Sequence, residues 1–585
     1  MDDFSNSRTS DGFTCKLWRG ERTCLIGFDV QQPEPDLAGF AIECRMPGAA
    51  GFEPLRNRLA FSYDTPPATA VDGFRNFDSR QAPFQKFRWI HFPANPVDGT
   101  YRYRATKMHM RGDESLVAGT GIELDLDIRQ ETYGGFLDIG FTRNFASSQA
   151  YRDYFGNRAD IIPAEADDGL EFEKLNVANR FGENVYDWLG YEAASHIFGF
   201  LRWAVDDPEI KIDALAYDLN EPDILALLEK LGPRLRIIVD DSTSTKNKVK
   251  IGHGMPDSAE SKAAARLGRT AGAKRVKRMH FGNLQHNKVL VARRKGIAER
   301  VLCGSTNFTF RGLYIQANNV LVFRQPEVAG LFGRMFELAF NNPAGFKQDP
   351  FSRKWHAVSV AGKPSIRLCF SPHSASDISL NPVAGAMEQA TSSVLYSVAF
   401  LNMMTSGPTF EAFKRLIKRP IFSYGTVDTR GKLEIRKPDG TSGLVDFEYL
   451  SSKVPEPFKS EWSGGKGRNV HHKFVVTDFN LPTARVFTGS SNLSPSGESG
   501  NGDHLIMIED QRIAAAYAIE AVRVFDHLEF RNRMKDAAIA AKKKKSSLPP
   551  LTLLKPKSMT GKPAWFEKYY VQDSQREQDR LVFST

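Results

Sequence analysis

The sequence predicts an α/β protein made of two pseudo-symmetric α/β/α halves behind an N-terminal β-sandwich-like domain. Three observations lead there: period-two strands early in the chain, alternating helix and strand patterns from about residue 180, and one motif that occurs twice at matched spacing.

Residues 1–150 read as β. The segment 122–128 (IELDLDI) alternates apolar and polar residues, as a strand with one buried face does, and 136–141 follows after a Gly-Gly turn. Residues 89–92 and 101–106 are also strand-like, separated by the turn sequence PVDGT. A first α/β half spans 151–350, with helix patterns at 184–205 and 222–231 and strands at 210–217 and 235–239. A second spans 351–530, with strands at 366–370, 393–401 and 421–424 and helices at 382–389 and 409–417. Residues 531–585 carry the lysine run 542–545, Pro549, Pro550 and an aromatic stretch around Trp565. They read as a loosely packed surface extension.

Composition bounds the function. A hydrophobic share of 41% and a charged share of 25% are those of an ordinary soluble protein. The 78 Lys+Arg against 69 Asp+Glu leave +9, which favours anionic partners. Five cysteines, an odd number without a CxxC pair, argue against a disulfide framework or a zinc site and for a reducing compartment. The first residues lack the basic and apolar regions of a signal peptide, and no apolar run approaches the roughly 20 residues that span a bilayer. The expected location is cytoplasmic or peripheral to a membrane, with secretion lacking a signal peptide left open.

The repeat carries the chemistry. His286-Asn-Lys288 is followed by Gly304-Ser-Thr-Asn307, and His471-His-Lys473 by Gly489-Ser-Ser-Asn492. In both copies Gly lies 18 residues after His and Asn lies 21 after it. Each His-x-Lys opens an apolar strand, so period two puts His and Lys on one face. Each GSxN leaves another strand, with its Ser and Asn at the exit. His, Lys, Ser and Asn therefore gather at one sheet edge, twice.

Cleaving a phosphodiester without a metal needs a nucleophile, a proton donor for the leaving oxygen and positive charge around the phosphoryl oxygens. Imidazole suits the first two roles because it titrates near neutrality. Lys288 and Lys473 supply compact cations. Asn307, Asn492 and the hydroxyls of Ser305 and Ser490 are donors toward the phosphate.

The pattern resembles the HxKxxxxD…GSxN signature of the phospholipase D superfamily, in the form with two halves in one chain. The second copy matches fully, with Asp478 five residues after Lys473; the first has Arg293 at that position. The resemblance covers roughly 180–530 and implies two phospholipase D-like halves sharing one metal-independent, cofactor-free site that works through a phosphohistidine. It also implies a carboxylate shortly after GSxN that orients a histidine. Asp503 stands 11 residues after Asn492, while Asn318 holds the equivalent place in the first half. Assigned within its own half, Asp503 would support His471 as the nucleophile and leave His286, with the lower pKa, as the acid. Asp478 reads as structural. His472 should face away from the site, and Cys303 should be a core residue.

The substrate is less sharply drawn. Residues 241–280 hold ten Lys/Arg against three acids, among them Lys274, Arg275, Lys277 and Arg278, which are candidate substrate-binding residues. A charged approach of this kind suits nucleic acid or an anionic membrane surface. No aromatic ring is interleaved for base stacking, which favours a phospholipid headgroup. The first expectation is a hydrolase or phosphatidyl transferase acting on phospholipid. The second is a nuclease or nucleic-acid end-processing phosphodiesterase, since tyrosyl-DNA phosphodiesterases also lack the motif aspartates. The third is a catalytically weak binding protein.

Overall fold

The computed structural model describes residues 4–63, 77–93, 95–144, 148–429, 431–434, 436–446, 468–543 and 551–585. Near the N-terminus two four-stranded sheets face each other. One runs Ser5–Ser10, Phe13–Arg19, Cys24–Val30, Arg88–His91; the other runs Leu116–Ile128, Gly99–Met110, Leu37–Arg45, Glu53–Pro54. Alternation along Gly99–Met110 turns Tyr101, Tyr103 and Ala105 inward against Phe13, Phe28, Phe40 and Phe87. Phe28 and Phe40 stack at 4.5 Å there.

Two boundaries differ from the sequence reading. Residues 136–141 do not belong to the sandwich. The strand Leu137–Phe141 is buried on both faces and pairs antiparallel with Asn319–Phe323 at the edge of the first α/β sheet. Residues 551–585 of the C-terminal stretch are not loosely packed. Trp565, Phe566 and Tyr569 enter the sandwich core, and the Trp565 indole donates to Leu37 O at 2.9 Å. In the helix Gln575–Ser584, Asp579 accepts from Arg88 of the sandwich at 2.5 Å and from Tyr424 of the second half at 2.8 Å. Lysine and proline content suggested a free extension, but the aromatic residues decide its place. The helix Gln511–Lys543 runs past residue 530; Lys544, Lys545, Pro549 and Pro550 lie outside the described residues.

The two halves share the same order over seven strands, and the second adds His356–Val358 at its edge. The first sheet has the order Leu137–Phe141, Asn319–Phe323, Ile297–Gly304, Val289–Arg294, Ile210–Ala216, Leu235–Val239, Val276–Arg278. The second has His356–Val358, Ser365–Phe370, His504–Glu509, Arg485–Gly489, Lys473–Thr477, Ser393–Val398, Phe422–Val427, Leu444–Asp446. In each the last three strands are parallel and the others antiparallel. Local sequence sets these elements. The helix Pro222–Leu231 starts with Pro in its first turn, takes a cap from the Glu221 carboxylate to Ile224 N at 2.7 Å, and ends beside Lys230. One core cluster runs through both halves, including Phe332, Phe336, Phe370, Phe474 and Tyr517. Across the joint, Asn319 Nδ2 donates to Thr488 Oγ1 at 2.9 Å and to the Tyr517 hydroxyl at 3.2 Å.

Candidate active site at the joint of the two halves

Each motif sits where a strand leaves its sheet. Gly304 and Gly489 end the GSxN strands with φ near +145°, and a Cβ there would lie 2.5 Å from Asn319 O and 2.3 Å from His504 O. Only glycine lets the chain pass so close to the neighbouring strand before it turns out toward the site.

The halves then exchange backbone hydrogen bonds. His286 N donates to Gly502 O at 2.9 Å and Gly502 N to Leu284 O at 2.8 Å. On the symmetric side His471 N donates to Ala317 O at 3.1 Å and Ala317 N to Asn469 O at 2.7 Å. The loop after each GSxN thus docks beside the histidine of the other half. Asp503, next to Gly502, accepts from His286 Nδ1 at 2.7 Å. Asn318, next to Ala317, meets His471 Nδ1 at 2.9 Å. This corrects the sequence reading, which paired Asp503 with His471. Spacing within one half cannot reveal that a loop tip reaches across the joint.

The two partners differ in charge, and the imidazoles respond. Asn318 directs Nδ2 to Gly312 O at 2.9 Å, so its oxygen faces His471. Burial, helped by Lys473 and Lys288, pushes His471 well below the ordinary histidine value. Burial and Lys288 also lower His286, but Asp503 opposes them. His471 therefore has the more depressed pKa, the reverse of the sequence expectation. Burial works to raise Asp503, yet His286 and Lys288 hold it at about 2, so it is ionised. Burial lowers Lys288 to about 7, and burial with the charge of Lys288 lowers Lys473 well below its ordinary value. An anion bound there would reverse part of this penalty by pairing with the charged forms.

The serines have a different task from the one expected. Ser305 Oγ donates to Asn318 Oδ1 at 2.9 Å and Ser490 Oγ to Asp503 Oδ1 at 2.6 Å. Both hydroxyls lock the histidine partners rather than facing a phosphate. Asn307 and Asn492 line the central cavity, and each has a buried carboxamide oxygen without a hydrogen-bond partner among the described residues. Asn307 Nδ2 donates to Asp218. The cavity, about 670 Å³, also takes in His286, His471, Tyr217, Phe400 and Arg468. Tyr217 packs at 4.7 Å from the His286 ring and Phe400 at 6.2 Å from His471, an aromatic wall in each half.

Several residues around the site stand outside the repeated motif. Asp240 accepts from Gln285 N at 2.6 Å and Asp428 from Val470 N at 3.0 Å; each acid directly follows a parallel strand two positions over from the motif strand and steadies the backbone before the histidine. The matched strand-ending acids, after Val239 and Val427, were the available signal. Arg468, three residues before His471, lies over Phe400 at 4.2 Å and adds a cation to the cavity.

A second cavity of about 990 Å³ adjoins the first through the shared Asp218, Asn307 and Gln316. Its wall carries Asp160, Glu165, Asp167 and Glu260, against Arg311 and His253. His253 is gripped on both sides, Nε2 by Asp218 and Nδ1 by Asp240, each at 2.8 Å. Burial disfavours its charge, but the two carboxylates outweigh burial and push its pKa up to about 11. Asp218, His253 and Glu260 offer ligand atoms within 4.8 Å of one another and could hold a metal. A proton held that firmly on the imidazole competes directly with any metal there.

Other expected residues lie elsewhere. Lys274 and Arg275 are exposed on the turn Ala273–Arg275, outside both cavities. Lys277 donates to Phe340 O, and Arg278 donates to Ser261 Oγ at 2.8 Å and His253 O at 2.5 Å, so both serve the fold. His472 turns away from the site to Glu520 at 2.8 Å. Asp478 accepts from the backbone N–H groups of Thr391, Ser392 and Ser393. Arg293, at the equivalent place in the first half, pairs with Asp213 and Glu337. Cys303 is buried in the core.

A family model described as "Cardiolipin synthase, PLD-like domain" matches residues 210–339, the segment that contains the first motif. No curated protein matches the chain significantly. Among solved structures, the phosphatidylserine synthase of Haemophilus influenzae is 12% identical at TM-score 0.39, covering 61% of this chain and 92% of that one. The polyphosphate kinase of Porphyromonas gingivalis is 12% identical at TM-score 0.36, covering 55% of this chain; the chain spans 46% of its length. The yeast tyrosyl-DNA phosphodiesterase is 12% identical at TM-score 0.28, covering 52% of this chain and 84% of that one. At these scores the three likenesses carry no functional weight.

Proposed function

We propose that this chain, which belongs to the phospholipase D superfamily, breaks the phosphodiester of a phospholipid headgroup through a phosphohistidine on His286. The Nε2 lone pair of His286 attacks phosphorus while Asp503 takes the hydrogen bond from Nδ1 and balances the positive charge that grows on the ring. The bond from phosphorus to the alcohol oxygen breaks. His471, charged once the anionic substrate is bound, gives that oxygen its proton. Water or an acceptor alcohol then enters, loses a proton to His471 and attacks phosphorus, and the P–N bond breaks. Lys288, Lys473 and Arg468 face the phosphoryl oxygens, with the carboxamides of Asn307 and Asn492 completing the set. Water makes the reaction a hydrolysis, and an alcohol makes it a transfer.

The observation that carries the lipid reading is the acidic second cavity. A nucleic-acid strand brings further phosphates on both sides of the reacting one, and Glu165, Asp167 and Glu260 would repel them. An alcohol bearing an amine or hydroxyl groups suits that wall. Among the described residues no helix is long and apolar enough to cross a membrane, so the lipid would be met from the surface.

The test is to incubate the purified protein, with chelator present, with mixed phospholipids, single-stranded DNA, duplex DNA and RNA. Release of headgroup from lipid is the expected result. Cleavage of a nucleic acid with lipids left intact would favour the end-processing alternative instead.

A further inference from the structure

The charge excess noticed before the first motif does not line the catalytic cavity. Its most exposed part is a hairpin, Ser244–Lys246 paired with Val249–Ile251, which forms a two-stranded sheet of its own. Asn247 and Lys248 at its tip both have positive φ, 51° and 66°, the geometry of a tight two-residue hairpin turn. All eight residues from Ser244 to Ile251 are exposed.

Its register sorts the side chains. Lys246 stands opposite Val249 and Ser244 opposite Ile251, so Val249 and Ile251 share one face with Lys246. Val249 is 60% and Ile251 41% exposed, among the most exposed large apolar residues described. Lys248 occupies the tip, and Lys250 points to the other face beside Thr245. None of the three lysines has an ion pair among the described residues, and no acid occurs from 242 to 256. The hairpin ends at the site. Gly252 and His253 follow directly and line the second cavity, where His253 Nε2 lies 2.8 Å from Asp218.

Resting on the phospholipid reading above, we propose that this hairpin is a docking finger for an anionic membrane surface. Lysines that can reach acidic headgroups, next to two aliphatic side chains that can enter the interface, match such a surface in both charge and polarity. The segment has no arginine and no aromatic ring for stacking on bases, which a nucleic-acid finger would need. Docked this way, the finger would hold the mouth of the acidic cavity at headgroup level.

The test uses full-length protein with His286→Ala, which separates binding from turnover. Sedimentation with phosphatidylcholine vesicles, with and without a minor share of phosphatidylglycerol, should show tighter binding to the anionic ones. Adding Lys246→Glu, Lys248→Glu and Lys250→Glu together should weaken that binding roughly 100-fold, at about one lysine's surface attraction each. Val249→Ser with Ile251→Ser should weaken binding and leave its salt dependence. Unchanged thermal midpoints would show that these surface variants fold. Binding that is unaffected by the lysine reversals, or equal on neutral and anionic vesicles, would overturn the proposal. So would loss of single-stranded DNA binding with vesicle binding intact. Turnover of detergent-dispersed phospholipid by the unmutated protein judges the catalytic reading separately, so the two failures are distinguishable.

Discussion

His286 donates a hydrogen bond from Nδ1 to Asp503 across 2.7 Å, although the two residues lie 217 positions apart and in opposite halves of the chain. The reciprocal contact, His471 to Asn318 at 2.9 Å, has the same geometry and no charge. A nearly symmetric site thereby acquires a direction. One imidazole is backed by an anion that stabilises a cationic adduct, and the other by a neutral oxygen that only orients it.

If both imidazoles serve one phosphate, their deletions should not add. His286→Ala and His471→Ala should each lower turnover by several orders of magnitude, and the double variant should be little worse than either. Steady-state rates on one substrate check this. A single variant with near-normal turnover would mean that the motifs do not act together.

The asymmetry of partners should appear in kinetics. Asp503→Asn keeps the hydrogen bond and removes the charge, so kcat should fall by roughly 10²–10⁴ with little change in KM. Asn318→Ala should cost less, about tenfold, because orientation is lost but no counter-charge. Equal losses would mean that Asp503 acts only as a positioning group.

Lysine burial sets a pH limb. In the empty site Lys288 titrates at about 7, charged below and neutral above. Because kcat/KM reports the free enzyme, it should decline as pH rises through about 7. Lys288→Arg, whose side chain stays charged, should remove that limb even if the rate is lower. A wild-type profile level across roughly pH 6 to 9 would show that Lys288 keeps its charge.

Arg293 occupies the place of the motif acid, and restoring that acid should harm the protein. Arg293 pairs with the buried Asp213 and with Glu337, so Arg293→Asp would gather three carboxylates. We expect a loss of roughly 2–4 kcal/mol in unfolding free energy and no gain in rate. Denaturant unfolding measures the first quantity directly.

The parts of this fold governed by local rules could be read before the structure. The helix 222–231 and the strand 235–239 lie at the residues where pattern and capping place them. The repeat singled out His286, Lys288, His471 and Lys473 as candidates, because period two and the strand exits act within a few residues. What failed was long-range. Offset from GSxN placed Asp503 beside its own motif, but the loop crosses the joint, and nothing local to Asp503 records that. Lys277 and Arg278 looked like substrate contacts because a charge count ignores direction; on a strand, neighbouring side chains point to opposite faces, and both are taken by the fold. The strand 137–141 and the aromatic stretch after Trp565 were placed by their neighbours in sequence, whereas burial put each against a distant partner.

In the proposed reaction His286, not His471, carries the phosphoryl group. The direct measurement is to mix enzyme and substrate, quench within the first turnovers, digest, and locate the acid-labile phosphoryl adduct by mass spectrometry. The adduct is expected on the peptide containing His286, and should be absent in Asp503→Asn at the same quench time. An adduct on His471 would contradict it and would show that the neutral Asn318 backs the nucleophile.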